Sequence, residues 1–153
     1  MIEIRPAREE DRNLLKTMYL SEVENHDDRA VAFAERLIGH FNTLLALHDN
    51  KLCGTLTWDT RGGYDDGVVE LVALGVNNEF RRQRIATKLV ERMIEDAALF
   101  YSERNYTLRV IILFMEGGNE NARKFYSQIG FSEVARISNL YPHDDGVIWT
   151  RYL

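Results

Sequence analysis

Residues 70–87, with the sequence ELVALGVNNEFRRQRIAT, connect a predicted buried strand to a predicted helix. The strand is the apolar run VVELVALGV at 68–76, whose length and β-branched content are typical of a strand inside a sheet. The helix begins at Ile85, and apolar residues recur in it at helical spacing. The turn between strand and helix carries three arginines: Arg81, Arg82 and Arg84. Because a helix N-terminus presents unpaired N–H groups and a partial positive charge, this turn predicts a site for phosphate groups. A solvated basic surface is the alternative.

The length and composition predict a single domain spanning residues 1–153. Hydrophobic residues make up 45% of the chain, which is enough for one packed core. With 19 basic and 24 acidic side chains the net charge is -5, which disfavours a nucleic-acid partner. No segment approaches the ~18 consecutive apolar residues of a membrane span, and the first ten residues lack the apolar run of a signal peptide. Cys53 is the sole cysteine, so the expected compartment is the cytoplasm.

The remaining patterns predict an α/β protein with a mixed sheet and helices on its faces, in the order β-α-α-β-β-β-α-β-α-β-β. The helix after residue 85 is long enough for a crossover, so the strands before and after it should be parallel neighbours. Asp27 or Asp28 is the expected N-cap of the second helix, and Gly130 the left-handed terminator of the last. The predicted strands are 2–5, 43–48, 52–59, 68–76, 107–115, 131–137 and 147–152, and the predicted helices are 8–24, 27–41, 85–100 and 119–129.

Two short motifs lie on these elements. Residues 81–86, Arg-Arg-Gln-Arg-Ile-Ala, are similar to the pattern Q/R-x-x-G-x-G/A and begin five residues beyond Val76. Residues 119–131 are similar to N-x-x-A-x-x-[aliphatic or aromatic]-Y-x-x-x-G-F, through Asn119, Phe125 and Tyr126 among others. Both patterns are signatures of the GCN5-related N-acetyltransferase (GNAT) family, which the chain therefore resembles. The order of elements agrees along nearly the whole chain, and the resemblance implies the acyl-CoA N-acyltransferase fold.

One residue departs from the family pattern. Arg84 occupies the position of the first signature glycine, where the family usually has bare backbone beside the pyrophosphate of the cofactor. If the position requires a positive φ, an arginine there is strained. If it lies in a right-handed first helical turn, the arginine is tolerated and its guanidinium can point outward.

The resemblance implies transfer of an acetyl group from acetyl-CoA to a primary amine. A lysine-type amine, with a pKa of about 10.4, is neutral in only about one molecule in ~10³ at pH 7, so it needs a base. Glu70 coincides with the glutamate base of the family's histone-acetyltransferase branch. The alternative is that Glu70 is a charged residue at the solvent end of its strand.

Tyr126 matches the family's tyrosine acid, which would protonate the departing CoA thiolate. A phenol near its ordinary pKa of about 10 would give a proton to a thiolate near 8.5 with a rise of roughly 2 kcal/mol. The alternative is that Tyr126 only packs beside Phe125 on the apolar face of its helix.

The resemblance also implies the residues that contact the cofactor. Backbone groups of Leu74 and Val76 would lie along it beside the parallel strand, and N–H groups of the following turn would bind its phosphates. Asn119 would bond its pantetheine or cap the last helix, two roles that are compatible. The expected cofactor contacts are Leu74, Val76, Arg81, Arg82, Gln83, Arg84, Ile85, Ala86, Thr87, Asn119, Phe125 and Tyr126.

The acceptor amine is less well defined by the sequence. The C-terminal segment 137–153 resembles the hairpin of the N-terminal peptide acetyltransferase branch, in which Tyr141 matches a tyrosine that covers the peptide. An ordinary polar turn is the alternative, since the run PHDDG is rich in turn formers. Acidic residues in the predicted loops favour a cationic acceptor, such as a peptide amine or a polyamine, or else form solvated surface. These residues are Glu22, Glu24, Asp27, Asp28, Asp65, Asp66, Asp144 and Asp145.

Other classes of function remain open at this stage. A domain of the same fold that binds acyl-CoA as a sensor or interaction module, with Arg84 as a trace of lost catalysis, is the main alternative. The family also forms dimers through its C-terminal strands, for which Trp149, Tyr152 and Leu153 are the expected contacts. No metal site is expected, because the histidines lack ligand spacing. Cys53, in the middle of a predicted strand, is expected to be a small core residue.

Overall fold

A computed structural model describes residues 1–81 and 84–153. In these residues the chain forms seven strands and four α-helices, in the order that the sequence predicts. Short 3-10 helices at Glu9–Asp11, Tyr64–Asp66 and Asn78–Phe80 complete the structure. The elements are β1 (Ile2–Pro6), α1 (Arg12–Glu22), α2 (Asp27–Gly39), β2 (Asn42–His48), β3 (Lys51–Arg61), β4 (Val68–Val76), α3 (Ile85–Ser102), β5 (Val110–Glu116), α4 (Glu120–Gln128), β6 (Ser132–Tyr141) and β7 (Asp144–Tyr152).

The strands form one mixed sheet with the order β1-β2-β3-β4-β5-β7-β6. β4 and β5 run parallel, with Val68–Glu70 opposite Val110–Ile112. This pairing confirms the predicted crossover through α3. The pairs β1–β2, β2–β3, β5–β7 and β6–β7 are antiparallel.

The chain divides into two compact units, and residues 1–59 and 73–95 form the first. Its core lies where α1 and α2 cover one face of β2, with Leu15, Ala34, Leu37, Leu45, Leu47 and Leu52 buried together. Arg5 binds both carboxylate oxygens of Asp11, at 2.8 and 2.9 Å, which fixes the entry to α1. The cap of α2 is His26, whose Nδ1 accepts a hydrogen bond from Arg29 N at 3.2 Å. The expected caps Asp27 and Asp28 are instead the first two residues of the helix.

The β2–β3 hairpin has a two-residue turn. Asp49 and Asn50 both adopt left-handed conformations, with φ of 49° and 66°. This is the type I′ geometry that follows the twist of a hairpin, and asparagine and aspartate tolerate it best after glycine. Lys51, expected in the turn, is the first residue of β3.

Residues 60–72 and 96–153 form the second unit. The connection between β3 and β4 is anchored there: Arg109 Nε donates to Asp66 O at 2.8 Å, and Tyr64 packs edge-on against Phe100 and Tyr101. α4 ends at Gln128, and Gly130, two residues later, has a φ of +91°, which confirms the predicted left-handed terminator. β7 lies between β5 and β6 and Trp149 is buried, whereas Tyr152 and Leu153 are exposed, so dimerisation through the C-terminal strands stays a prediction.

The C-terminal hairpin is longer than the sequence predicts. β6 continues to Tyr141, and only Pro142 and His143 separate it from β7. Asp145 explains the extension, because its carboxylate accepts hydrogen bonds from Arg136 Nη1 and Asn139 N at 3.1 and 3.0 Å. These bonds hold together a stretch whose polar composition is typical of a loop.

None of the helices in residues 1–81 and 84–153 combines the length and apolar character needed to cross a membrane.

Candidate cofactor and catalytic site

The predicted phosphate turn lies at the end of β4 in the first unit. Asn77 anchors it to β3, since its backbone N donates to Cys53 O at 2.8 Å and its Nδ2 to Leu52 O at 2.9 Å. One 3-10 turn follows, and α3 begins at Ile85. The N–H groups of Ile85, Ala86 and Thr87 belong to the first helical turn and therefore have no acceptor within the helix. Arg82 and Gln83, two expected cofactor contacts, lie outside the described residues.

Arg84 adopts the left-handed conformation, with φ of +60°. Its carbonyl accepts a hydrogen bond from Lys88 N at 3.0 Å, so Arg84 starts the hydrogen-bonding pattern of α3. The structure thus selects the first of the two alternatives, in which the signature position needs a positive φ. A residue with a side chain pays roughly 1–2 kcal/mol for this conformation, whereas glycine adopts it freely.

The remaining expected contacts of the turn lie around this point. Leu74 and Val76 are half-buried in the second half of β4, beyond the three residues that pair with β5. Arg81 is exposed, and Ile85 is buried. The described part of the turn therefore brings together bare helical N–H groups and an exposed guanidinium, a combination that suits a diphosphate.

Glu70 lies near the start of β4, in the second unit, and its carboxylate is held by Arg61. Arg61 Nε donates to Glu70 Oε1 at 2.6 Å, and Arg61 Nη2 contacts the same oxygen at 2.5 Å. The side chain of Glu70 is 14% exposed and that of Arg61 50%. Glu70 is thus mostly buried and ion-paired, which differs from the alternative of a fully solvated residue at the strand end.

Tyr126 lies on α4 with its ring packed between Phe125 and Phe131, at centroid distances of 5.1 and 5.4 Å. The residue is 8% exposed. Burial raises the pKa of Tyr126 to about 12, because the apolar surroundings disfavour the phenolate. The phenol is therefore neutral, and able to donate a hydrogen bond, at neutral pH.

Asn119 caps α4, as one of the two sequence interpretations predicts. Its Oδ1 accepts a hydrogen bond from Ala122 N at 3.1 Å. Because the side-chain oxygen of Asn119 accepts the capping hydrogen bond, its side-chain nitrogen is the group that can face a ligand. Phe125, the neighbouring motif residue, is half-buried.

Tyr141 is the last residue of β6, opposite Asp144 in the hairpin, and is half-buried.

Several of the acidic residues around the predicted loops have structural partners. Glu24 accepts from Arg29 Nη1 at 2.7 Å and from the hydroxyl of Tyr19. Asp144 Oδ2 accepts from Gly118 N at 2.6 Å. These carboxylates hold the loops in place through hydrogen bonds and ion pairs, in addition to contributing negative charge.

The sequence interpretation missed Arg61 and Gly75. Arg61 lies nine residues before Glu70, at the end of β3 and just before a glycine-rich connection with no motif, so nothing in its local sequence indicates the ion pair. Gly75 sits in an apolar run in which a glycine signals a close backbone approach or open space. In the structure a side chain at Gly75 would meet no atom within 4 Å, so the space beside it is open.

The described residues contain no group of three or more histidine, cysteine, aspartate or glutamate side chains arranged to hold a metal ion. Cys53 is fully buried, as predicted, and burial raises the pKa of its thiol. A buried thiol with a raised pKa is a packing residue and a poor nucleophile.

Comparisons with known proteins agree with this geometry. Solved structures with the same fold include the ribosomal-protein-S18-alanine N-acetyltransferase from Escherichia coli, which is 16% identical with a TM-score of 0.76 and coverage of 99% of this chain and 94% of that chain. The ribosomal-protein-alanine N-acetyltransferase from Brucella melitensis is 21% identical, with a TM-score of 0.74 and 99% coverage of both chains. NAA60 from Arabidopsis thaliana in complex with acetyl-CoA is 19% identical, with a TM-score of 0.75 and coverage of 100% and 99%.

No curated protein sequence matches the chain significantly. Residues 12–131, which include β4, the phosphate turn, α3 and α4, match the family described as "Acetyltransferase (GNAT) family". That match spans more than half of the chain, so the chain belongs to the GNAT family of acetyl-CoA-dependent acetyltransferases.

Proposed function

We propose that this chain, acting as one catalytic domain, acetylates a primary amine of a peptide or protein with acetyl-CoA bound at the β4–α3 turn. The observation that carries the proposal is the backbone of Arg84. It has the left-handed φ that a signature glycine would adopt, and its carbonyl starts α3. The backbone of Arg84 at the entry to α3 therefore supports a phosphate site there, although an arginine replaces the signature glycine.

The reaction requires one bond to form and one to break. The amine nitrogen attacks the carbonyl carbon of the thioester, and the C–S bond then breaks to release the CoA thiolate. A base takes the proton that the nitrogen loses, and an acid or hydrogen-bond donor stabilises the sulfur. The products are the N-acetyl amide and CoA.

Tyr126 is the proposed partner of the sulfur. With its pKa at about 12, full proton transfer to a thiolate near 8.5 is uphill by about 3.5 pKa units, or about 5 kcal/mol. The same transfer from a phenol with the ordinary pKa of about 10 would cost only roughly 2 kcal/mol. Tyr126 therefore acts mainly as a hydrogen-bond donor to the developing thiolate, with any proton transfer concerted with C–S cleavage.

Glu70 is the proposed base, directly or through a water molecule. Its carboxylate is mostly buried, and Arg61 holds one of its oxygens. The ion pair leaves Glu70 Oε2 as the oxygen available for a proton. A base matters more for a lysine-type amine than for an α-amine, which is neutral far more often at pH 7.

Two features support a peptide or protein amine as acceptor. Tyr141 stands at the tip of the long C-terminal hairpin, where it is half-buried and next to the two-residue turn. The fold is shared with enzymes named for acetylating ribosomal-protein alanine and with NAA60 in complex with a bisubstrate analogue.

The fully buried Cys53 is compatible with the reducing cytoplasm that the sequence suggests.

The test is release of CoA thiol from acetyl-CoA in the presence of an amine panel. The panel contains peptides with free α-amines, lysine, polyamines and aminoglycosides. We expect α-amine peptides to give the highest kcat/KM. Binding of acetyl-CoA without thiol release for any amine would identify a non-catalytic acyl-CoA sensor and refute the proposal.

The catalytic assignments are tested by Tyr126→Phe and Glu70→Gln. Tyr126→Phe should lower kcat at least tenfold with little change in the Kd of acetyl-CoA, because the hydroxyl acts on the leaving sulfur. Tyr152→Phe, which removes a hydroxyl from an exposed position, is the matched control. Glu70→Gln should reduce turnover of lysine more than turnover of an α-amine peptide. Unchanged kcat in either variant would remove that residue from the mechanism.

A further inference from the structure

The turn between β5 and α4 begins with two glycines, Gly117 and Gly118, which follow β5 directly. Asn119 comes next and caps α4, so this turn sets the point at which the helix of Tyr126 begins. α4 has only nine residues, and a helix of that length is marginal without tertiary contacts. The position of α4, and hence of the Tyr126 phenol, therefore depends on the contacts that hold its entry.

The C-terminal hairpin binds this turn through the first two residues of β7. Asp144 Oδ2 accepts a hydrogen bond from Gly118 N at 2.6 Å, and Asp144 Oδ1 accepts one from Asp145 N at 2.7 Å. Gly117 N donates to the backbone oxygen of Asp145 at 2.9 Å. Both glycine N–H groups of the turn are therefore bonded to the hairpin, and each oxygen of the Asp144 carboxylate accepts a hydrogen bond.

The hairpin approaches the turn as closely as glycine allows. A methyl group on Gly118 would lie 3.1 Å from Asp144 Oδ2, and one on Gly117 would lie 3.2 Å from Arg136 Nη1. Both distances are shorter than the roughly 3.5–4.0 Å of an optimal non-bonded contact. Larger residues in the turn would therefore push it away from Asp144 and Arg136.

Arg123, on α4 itself, makes a second contact with the same turn. Arg123 Nε donates to Gly117 O at 2.6 Å, and Arg123 Nη1 lies 2.9 Å from Glu133 Oε1 on β6. The guanidinium carbon is 5.9 Å from the ring centroid of Trp149 on β7. A hydrogen bond from a charged donor is stronger than one from a neutral donor. Arg123 therefore ties the helix to its own entry, just under one helical turn before Tyr126.

We propose that Asp144 and Arg123 are positioning residues for the Tyr126 phenol. Together they fix the Gly117–Gly118 turn and thereby the point of entry and the tilt of α4. The same hairpin carries Tyr141, so the segment proposed to cover the acceptor peptide is bonded to the entry of the helix that carries Tyr126. This inference rests on the proposed function, because it concerns the residue proposed to stabilise the leaving thiolate.

The first test is Asp144→Asn, which keeps the size of the side chain and replaces one of its two acceptor oxygens by an NH₂ donor. We expect kcat to fall about tenfold, because a displacement of about 1 Å near the reacting groups can cost up to about 10²-fold. The Kd of acetyl-CoA should change less than about threefold, since the phosphates are proposed to bind at the β4–α3 turn. Asp49→Asn, the same change at an exposed residue of the β2–β3 turn, is the control and should change neither.

The second variant is Arg123→Met, which keeps an unbranched side chain near Trp149 and removes the donors to Gly117 and Glu133. It should also lower kcat about tenfold. Lys124→Met is the matched control, because it removes a positive charge from the next residue of α4, at an exposed position. It should leave kcat unchanged. Equal kcat in Arg123→Met and Lys124→Met would overturn the assignment of Arg123.

Asp145→Asn separates the contact with the turn from the stability of the hairpin. The carboxylate of Asp145 binds Arg136 and Asn139 N inside the hairpin, whereas its bond to Gly117 comes from the backbone oxygen. This variant should therefore lower kcat less than about threefold. A loss as large as that of Asp144→Asn would mean that the hairpin acts as a whole, and would overturn the role of Asp144.

A double-mutant cycle tests whether the two residues act through Tyr126. In a Tyr126→Phe background, Asp144→Asn and Arg123→Met should each lower the residual kcat by less than about twofold, because the hydroxyl that they position is gone. A further loss of about tenfold in that background would mean that the two residues only support the fold, and would refute the positioning role.

The outcomes separate this inference from the proposed function. If Asp144→Asn and Arg123→Met leave thiol release unchanged, the acetyltransferase reaction stands and the positioning role is refuted. If no amine releases thiol, the proposed function fails, and amide hydrogen exchange of Gly118 tests the contact with Asp144 by itself. This exchange should be at least about tenfold faster in Asp144→Asn than in the wild-type protein. Equal exchange rates in the two proteins would refute the contact.

Discussion

Arg84 is the residue whose backbone conformation links the stability of the chain to the turn at which we propose that the cofactor binds. The backbone there is left-handed, a conformation that costs an arginine roughly 1–2 kcal/mol and glycine almost nothing. The side chain is exposed and borders the phosphate turn. A guanidinium beside a diphosphate is electrostatically favourable, so we expect cofactor binding at this turn to offset the strain.

Arg84→Gly should therefore stabilise the protein without its cofactor and weaken cofactor binding. The free energy of unfolding should rise by up to about 1 kcal/mol, because relief of the left-handed strain exceeds the extra chain entropy of glycine. Arg84→Ala keeps the strain and loses the charge, so it should leave stability unchanged and weaken acetyl-CoA binding to a similar extent. Urea denaturation and isothermal titration measure the two effects. Lower stability of the glycine variant would contradict the strain.

Tyr126 predicts a specific loss of stability at high pH. Its pKa is about 12 in the folded protein and about 10 in the unfolded chain, so the unfolded state loses the proton first. The stabilisation is fully present below pH 10 and is lost as the pH rises from about 10 to about 12. The full difference is about 3 kcal/mol in the free energy of unfolding.

This prediction is measured as the difference between wild-type and Tyr126→Phe protein in denaturant titrations across that pH range. The phenylalanine variant lacks the titrating group, so its stability relative to wild type should increase by about 3 kcal/mol between pH 10 and pH 12. Parallel pH profiles for the two proteins would show that the phenol is not buried in solution.

At the scale of elements, α3 is the basis of the proposed anion site. It is an 18-residue helix that begins at Ile85 directly after the turn and has no acidic residue in its first turn. The free N–H groups and the helix dipole therefore act together at its N-terminus. An acidic side chain placed there would satisfy the helix and compete with a phosphate.

Ala86→Glu should consequently have opposite effects on stability and binding. The carboxylate interacts favourably with the helix N-terminus and should raise the free energy of unfolding by about 0.3–1 kcal/mol. It repels the cofactor phosphates and should weaken acetyl-CoA binding at least tenfold. The control is Ala98→Glu, the same change at an exposed position late in α3. Equal acetyl-CoA affinity in both variants would show that the phosphates bind elsewhere.

At the scale of the whole molecule, we expect the net charge to favour a cationic acceptor. The net charge of the chain is -5. Glu24 and Asp145 are each paired with an arginine, so the negative electrostatic potential around the protein comes mainly from the other carboxylates. Long-range attraction of this kind raises association rates and is screened by salt.

The acceptor preference should therefore depend on ionic strength. Raising the ionic strength from about 0.02 M to about 0.3 M should lower kcat/KM several-fold for the peptide Ala-Lys-Lys. The peptide Ala-Glu-Glu has the same α-amine and the opposite side-chain charge, and its kcat/KM should rise or stay constant. Steady-state kinetics at fixed acetyl-CoA measure both, and equal salt dependence of the two peptides would exclude steering by the net charge.

Local patterns determined the order of elements, the parallel β4–β5 crossover, the turn before α3 that we propose as the phosphate site, and the Gly130 terminator. Each of these features depends on hydrophobic periodicity or on the conformational preference of a single residue. Both can be read from a short stretch of sequence. The tertiary structure decided the left-handed backbone of Arg84, the Arg61–Glu70 ion pair, the raised pKa of Tyr126 and the length of the C-terminal hairpin. These features arise from side-chain contacts between different elements, from burial and from the backbone geometry of one residue, and hydrophobic periodicity carries no record of them.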